Sequence, residues 1–206
     1  MKYQVITISR DYAAYGRTIA KALSEALELE WYDKDFVKKT AEESGFETEM
    51  IQEEGEDLSQ GDKWLDSIMS KVHSGYNSSH DDIFRAQSRV ILKLAAEPCI
   101  IVGRCANRVL RMAEIPSFDI YLYASKEDRR KRAAELLADE GRILDPVKDA
   151  AELDKYITKR DDLRRTYYKK YTGSDMSNAR NYNICLDVGA LGVDRCVNIL
   201  LEILRG

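Results

Sequence analysis

Residues 3–23, YQVITISRDYAAYGRTIAKAL, decide the fold. The stretch 3–8 is β-branched and apolar, SRDYAAYG breaks that pattern, and from Arg17 onward Ile19, Ala20, Leu23, Ala26 and Leu27 recur at helical spacing. The order is strand, tight loop, helix. Such a loop ends at a helix N-terminus, where unpaired backbone N–H groups and the positive end of the helix dipole suit an anion. In the P-loop pattern G-x-x-x-x-G-K-[ST], a lysine reaches the outer phosphates and a hydroxyl holds magnesium. Between Ser9 and Thr18 this chain has one glycine, Gly16, and no lysine; Arg17 is the cation on the turn besides Arg10. Ala13 and Ala14 are small enough for close backbone approach but lack glycine's access to positive φ. On these residues alone the loop fits either a phosphate site or an ordinary strand-to-helix turn with a surface arginine.

Outward from this unit, LEWYD at 29–33 reads as a short second strand, and DFVKKTAEES opens a helix that Gly45 ends. Residues 46–82 are acidic and weakly periodic, with HSGYNSSHDD at 73–82 the best candidate for a mobile loop. A helix returns over 83–96 with Ile83, Phe84, Val90, Ile91 and Leu94 on one stripe, and Pro98 stops it. CIIVG at 99–103 and FDIYLY at 118–123 are near-continuous apolar runs, the pattern of strands covered on both faces, with a short helix ANRVLRMAE between them. The charged stretch 126–140, with Leu136 and Leu137 inward, predicts a helix ending near Gly141. A longer helix follows from Val147 to about Tyr171. NICLDV at 183–188 is the last strand, and Val193, Val197, Leu200, Leu201 and Leu204 make a closing amphipathic helix. Strands alternating with helices predict an α/β fold: a parallel sheet with helices on both faces. Ligands of such sheets bind beyond the carboxyl ends of the strands. That places candidate function at Ser9–Arg17, Asp33–Lys39, Gly103–Arg104 and the loops after residue 123.

Three further sets of side chains could carry chemistry. Arg104 follows a buried-type strand, where its fork could meet a phosphate or a pyrimidine edge, or simply face solvent. Arg129 and Arg132, three apart, and Arg160 and Arg164, four apart, each share a helix face. They could stabilise charge on a transferring phosphoryl group or belong to solvated, salt-bridged faces. Asp33 ends the second strand and is placed for metal or substrate contact or for an N-cap. The cluster Tyr167, Tyr168 and Tyr171 reads as packing, although a phenol there could reach a nucleotide. No pair of carboxylates stands out as acid and base.

The chain has 206 residues, 44% hydrophobic, with 32 basic and 36 acidic side chains and a net charge of −4. This fits one globular domain and argues against a nucleic-acid coat or a basic membrane binder. Cys99, Cys105, Cys185 and Cys196 form no C-x-x-C pair, and His73 and His80 lack metal-ligand spacing and read as loop residues. The start MKYQVITIS has no signal-peptide pattern, and no apolar run reaches the roughly 20 residues that span a bilayer. The expectation is a reduced, cytoplasmic protein with neither nucleic-acid nor membrane partners.

Taken in order, ITISRDYAAYGRTIAKAL (6–23), WYDKDFVKKTAEESG (31–45), CIIVGRCANRVL (99–110), IYLYASKEDRRKRA (120–133) and KRDDLRRTYYKKYTG (159–173) resemble the cytidylate kinase-like family of P-loop kinases. NYNICLDVGALGVDRCVNILLEIL (181–204) is similar to that family's closing strand and helix. The resemblance implies a three-layer P-loop fold with a five-stranded parallel core at 1–33, 96–127 and 173–206. It also implies a small helical nucleoside-monophosphate-binding insert at about 34–95 and a short lid at about 128–172. It implies ATP and Mg2+, with Ser9, Arg10, Ala13, Ala14, Tyr15, Gly16, Arg17 and Thr18 toward the donor. Arg17, Arg129, Arg132, Arg160 and Arg164 fall on transfer. Asp33, Lys34, Lys39, Gly103, Arg104, Asp161 and Tyr167 fall on a nucleotide acceptor, CMP or dCMP by default. The Asp-Gly-Arg of true cytidylate kinases is Val102-Gly103-Arg104 here. Of the lid pattern R-D-x-x-D-R-x-R, Arg160 and Asp161 match, while Arg164 and Tyr167 stand at later aspartate and arginine positions. The resemblance therefore implies a nucleoside-monophosphate kinase. The missing loop lysine keeps two alternatives open, a nucleotide-binding regulatory protein and a kinase for another small acceptor.

Overall fold

A computed structural model describes residues 3–33 and 79–206, and elements are numbered among these. Five strands form one sheet: β1 (Val5–Arg10), β2 (Glu30–Tyr32), β3 (Cys99–Val102), β4 (Ser117–Tyr123) and β5 (Ile184–Asp187). Their spatial order is β2-β3-β1-β4-β5 and every pairing is parallel. β1 lies between β3, in register Val5 to Cys99, and β4, in register Val5 to Ser117, so all six of its residues are buried.

The two faces of the sheet carry separate cores. Ile6, Ile8, Ile100, Val102, Ile120 and Leu122 point to one, where α1 (Gly16–Leu27) and α7 (Val193–Arg205) cover them with Ile19, Leu23, Cys196, Leu200 and Leu204. Val5, Cys99 and Ile101 point to the other, under α2 (Ser79–Leu94) and α3 (Ala106–Met112) with Val90, Ile91, Val109 and Leu110. This alternation within continuous apolar strands is the period-2 geometry of a doubly covered sheet. After β4, α4 (Lys126–Asp139) and α5 (Ala150–Thr172) make a helical hairpin with its own cluster, Ala133, Ala134, Leu137, Leu153 and Ile157, seated on Ala13. The short α6 (Val188–Leu191) joins β5 to α7.

Several boundaries differ from the sequence expectation. Residues 79–82, expected within a loop, begin α2, and His80 lies in that helix. The helix expected from Val147 starts at Ala150, because Asp145 Oδ1 accepts the N–H groups of Val147 (2.9 Å) and Lys148 (2.8 Å) and makes a separate turn. Leu137 is fully buried and Leu136 only partly. The helix expected to end at Gly45, most of the 46–82 stretch and His73 lie outside the described residues. The four cysteines are free thiols. Among the described residues no helix is long and apolar enough to cross a membrane.

Candidate active site

The connections from β1 and β4 leave the sheet toward opposite edges, so a crevice opens between the loop after β1 and the hairpin after β4. The loop itself departs from the sequence expectation. Ala13 (φ 60°) and Tyr15 (φ 58°) both adopt the left-handed conformation that glycine would take at less cost. Tyr15 is also the N-cap of α1 and offers no side-chain cap. Gly16 is required for a different reason. A Cβ there would meet Arg10 Cγ at 2.9 Å, because the Arg10 stem lies across the first turn of α1.

The crevice is lined by the loop and by one side of the hairpin. Arg10, Ala13, Ala14, Tyr15, Gly16, Arg17 and Thr18 come from the first, and Arg132, Arg160 and Arg164 from the second. Two tyrosines of the loop hold these arginines in place. The Arg132 guanidinium lies 5.3 Å from the Tyr15 ring centre, and those of Arg160 and Arg164 lie 5.8 and 5.4 Å from that of Tyr12. Arg160 also donates to the Tyr156 hydroxyl, and Tyr156 meets Tyr12 edge to face at 5.6 Å. Cation–π contacts of this kind are worth about 0.5–2 kcal/mol each. Five guanidiniums thus surround the crevice against the carboxylates of Asp11 and Glu140, an environment built for a polyanion.

Ser9, Arg129 and Asp161, all expected in the site, do not line this crevice. Ser9 is buried and hydrogen-bonded to the Tyr182 phenol. Arg129 and Asp161 form a buried ion pair at 2.5 Å beneath the loop, with Asp161 Oδ1 accepting the Tyr12 N–H at 2.7 Å and Arg129 donating to Tyr12 O at 3.3 Å. Arg129 Nε has no hydrogen-bond partner. Arg17 lines the crevice, but its Nε is ion-paired with Asp33 at the end of β2, so α1 is tied across to the neighbouring strand end.

The loop after β3 is built from three consecutive left-handed residues, Gly103 (φ 82°), Arg104 (φ 59°) and Cys105 (φ 57°). It is anchored to the central strand by Gly103 N–H donating to Ile8 O at 2.9 Å. Arg104 is largely buried there. Beside it, Tyr167 donates its hydroxyl to Gln87 Oε1 at 2.6 Å, and Phe84 stacks on Tyr171 with ring centres 4.1 Å apart. Tyr168 is buried and accepts from Asn107 at 3.1 Å. The tyrosine cluster packs, with Tyr167 and Tyr171 rings 4.8 Å apart. Lys34 and Lys39 lie outside the described residues.

The expected range Ser9–Arg17 takes in Asp11 and Tyr12 but gives neither a role, and sequence reasoning missed Glu140 and Gln87 altogether. Burial holds the Asp11 carboxyl above its ordinary value of 3.8, although Tyr121 donates to it at 2.7 Å and Arg165 lies 3.7 Å away. Glu140 and Gln87 carry no local signal; only the packing of distant helices brings them in. Among the described residues no group of three or more His, Cys, Asp or Glu side chains could cage a metal ion. The Thr18 hydroxyl, at the third position of α1 in the crevice wall, fits a magnesium ion that keeps phosphate and water as its other ligands.

Known proteins agree with this architecture. The model of the cytidylate kinase-like family matches residues 5–190. Among solved structures, an uncharacterized protein from Eubacterium ventriosum is similar over 98% of both chains at 21% identity, with a TM-score of 0.68. The shikimate kinase of Bacteroides thetaiotaomicron is similar over 98% of both chains at 14% identity and a TM-score of 0.56. That of Acinetobacter baumannii, in complex with shikimate, matches over 98% of this chain and 94% of its own at 15% identity and 0.53. At these identities the likeness establishes a shared kinase-type fold. No curated protein matches the chain in sequence.

Proposed function

Because the chain belongs to the cytidylate kinase-like family, we propose that it transfers the γ-phosphoryl group of ATP to a nucleoside monophosphate, with CMP or dCMP as the default acceptor. The observation that carries this reading is the convergence of the loop at 11–18 with Arg132, Arg160 and Arg164 on one crevice. The loop would seat the donor phosphates, with Arg17 in place of the usual lysine. Arg17 would then exchange the Asp33 carboxylate for a phosphate oxygen, a swap between two anions of similar geometry. Arg132, Arg160 and Arg164 would face the transferring group, where fixed cations stabilise charge that spreads onto its oxygens. The hairpin that bears them would take the role of the lid at about 128–172. Arg104 would hold the acceptor phosphate. An acceptor phosphate oxygen is already ionised, so the residues need only position it and no general base is required. Magnesium, held by Thr18 and the phosphates, would neutralise charge between the donor's outer phosphates.

The test is phosphoryl transfer from magnesium-ATP to a mixed pool of nucleoside monophosphates, read by mass spectrometry. CDP or dCDP is the expected product. No diphosphate at high enzyme, with ATP still bound, would favour a second reading, a regulatory nucleotide-binding protein; the lysine-free loop and the Arg17–Asp33 pair are the observations behind it. Consumption of ATP only with a non-nucleotide acceptor would instead assign a kinase for another small molecule.

A further inference from the structure

The loop after β1 holds two left-handed residues that are not glycine, and something outside the loop must keep them so. The buried ion pair beneath it is placed to do this. Asp161 on α5 takes the N–H of Tyr12 with one oxygen and Arg129 of α4 with the other, and Arg129 returns to the carbonyl of the same Tyr12. One residue of the loop is therefore gripped on both its peptide groups by a closed ring of hydrogen bonds. The Arg129 and Asp161 side chains are only 6% and 4% exposed, so neither can be traded for water without opening the hairpin from the loop. Ala13, the next residue, packs into the apolar cluster of the same hairpin. Both Asp161 oxygens and the Arg129 Nη1 are bonded, and two of these bonds go to loop backbone.

We infer that Arg129 and Asp161 are positioning residues that lock the loop in its ligand-ready shape before any nucleotide arrives. They do so in a chain whose loop lacks the glycines that would adopt that shape freely. A second consequence follows from the same contacts. The hairpin is fastened to the loop at its base, so the arginines on its crevice side are presented by a docked wall.

The kinetic part of this inference rests on the proposed phosphoryl transfer, and the structural part does not. The decisive measurement is amide hydrogen exchange on the full chain without nucleotide. It compares the natural protein with Asp161→Asn and with a double variant, Asp161→Leu/Arg129→Met, that leaves no buried charge behind. Faster exchange by tenfold or more, confined to residues 10–16 and the facing turns of α4 and α5, is expected in the double variant. A smaller effect is expected in Asp161→Asn, which keeps an acceptor for the Tyr12 N–H. Unchanged exchange at 10–16, or a rise spread evenly over β1, β3 and β4, would overturn the inference. With transfer established, KM for ATP should rise at least tenfold in the double variant while kcat falls less, and an equal fall in kcat alone would contradict a positioning role. Loosened exchange in a chain that transfers no phosphoryl group would sink the proposed function and leave the lock standing.

Discussion

Glu28 ends α1 in the left-handed conformation, at φ 55° and ψ 43°, with its N–H donating to Ser24 O. The side chain is exposed, so the conformation costs energy that no packing returns. Glu28→Gly is expected to stabilise the chain by about 1 kcal/mol, read as a rise in Tm of roughly 2–4 °C. Asp11 sets a different dependence. Its carboxyl binds a proton more tightly in the folded chain than in the unfolded one, because burial outweighs the Tyr121 hydrogen bond. Its contribution to stability is therefore complete below the ordinary value of 3.8 and declines as the pH rises through the raised folded value. Asparagine cannot ionise and still offers an oxygen to Tyr121. The Tm difference, Asp11→Asn minus natural protein, should thus become more positive between about pH 4 and pH 7. A difference independent of pH would contradict the raised carboxyl.

Among elements, the hairpin depends on how α4 begins. Ser125 caps it by accepting the Asp128 N–H at 3.1 Å, and its hydroxyl donates back to Asp128 Oδ2 at 2.6 Å. The Asp128 side chain lies against Gly189 of α6, where a Cβ would come within 2.8 Å of Asp128 Cγ. Gly189→Ala should displace that carboxylate, break its bond with Ser125 and destabilise the chain by about 1 kcal/mol in a denaturant titration. An unaffected midpoint would mean that α4 and α6 are not in register contact. Elements with a strong apolar stripe, α1 and α7, were legible in the sequence because each rests on one side of the sheet and repeats a helical pattern. The start of α2 was not. Residues 79–82 are polar, and polar residues in a first helical turn look like loop until the rest of the helix is docked.

For the whole molecule, the sheet is what sets the loops after β1 and β3, the proposed donor and acceptor loops, side by side. β1 and β3 are hydrogen-bonded neighbours, and Gly103 is tied to Ile8 just where β3 ends. Arg104 is largely buried but belongs to neither apolar core, so Arg104→Ala should lower Tm by several degrees without unfolding the chain, while transfer falls more than about 100-fold. Turnover within threefold of the natural enzyme would remove Arg104 from the acceptor site. The crevice arginines show why the site was only half legible. Arg160 and Arg164, four apart on one helix, were readable as a shared face. That Arg132 joins them while Arg129 turns under the loop depends on how α4 rolls against α5.

The sequence by itself determined the layers and the parallel sheet, because buried strands write continuous apolar runs and covering helices write amphipathic ones. It also located the crevice, since strand ends follow from strand positions. The conformation of the loop after β1 and the division of the arginines between wall and lock were decided only by tertiary structure. Ala13 and Tyr15 hold left-handed conformations contrary to their own preference because Asp161 and Arg129, more than a hundred residues away in the chain, hold Tyr12 from both sides. Contacts at that separation leave no periodicity or spacing to read; they exist only once the hairpin has folded onto the sheet.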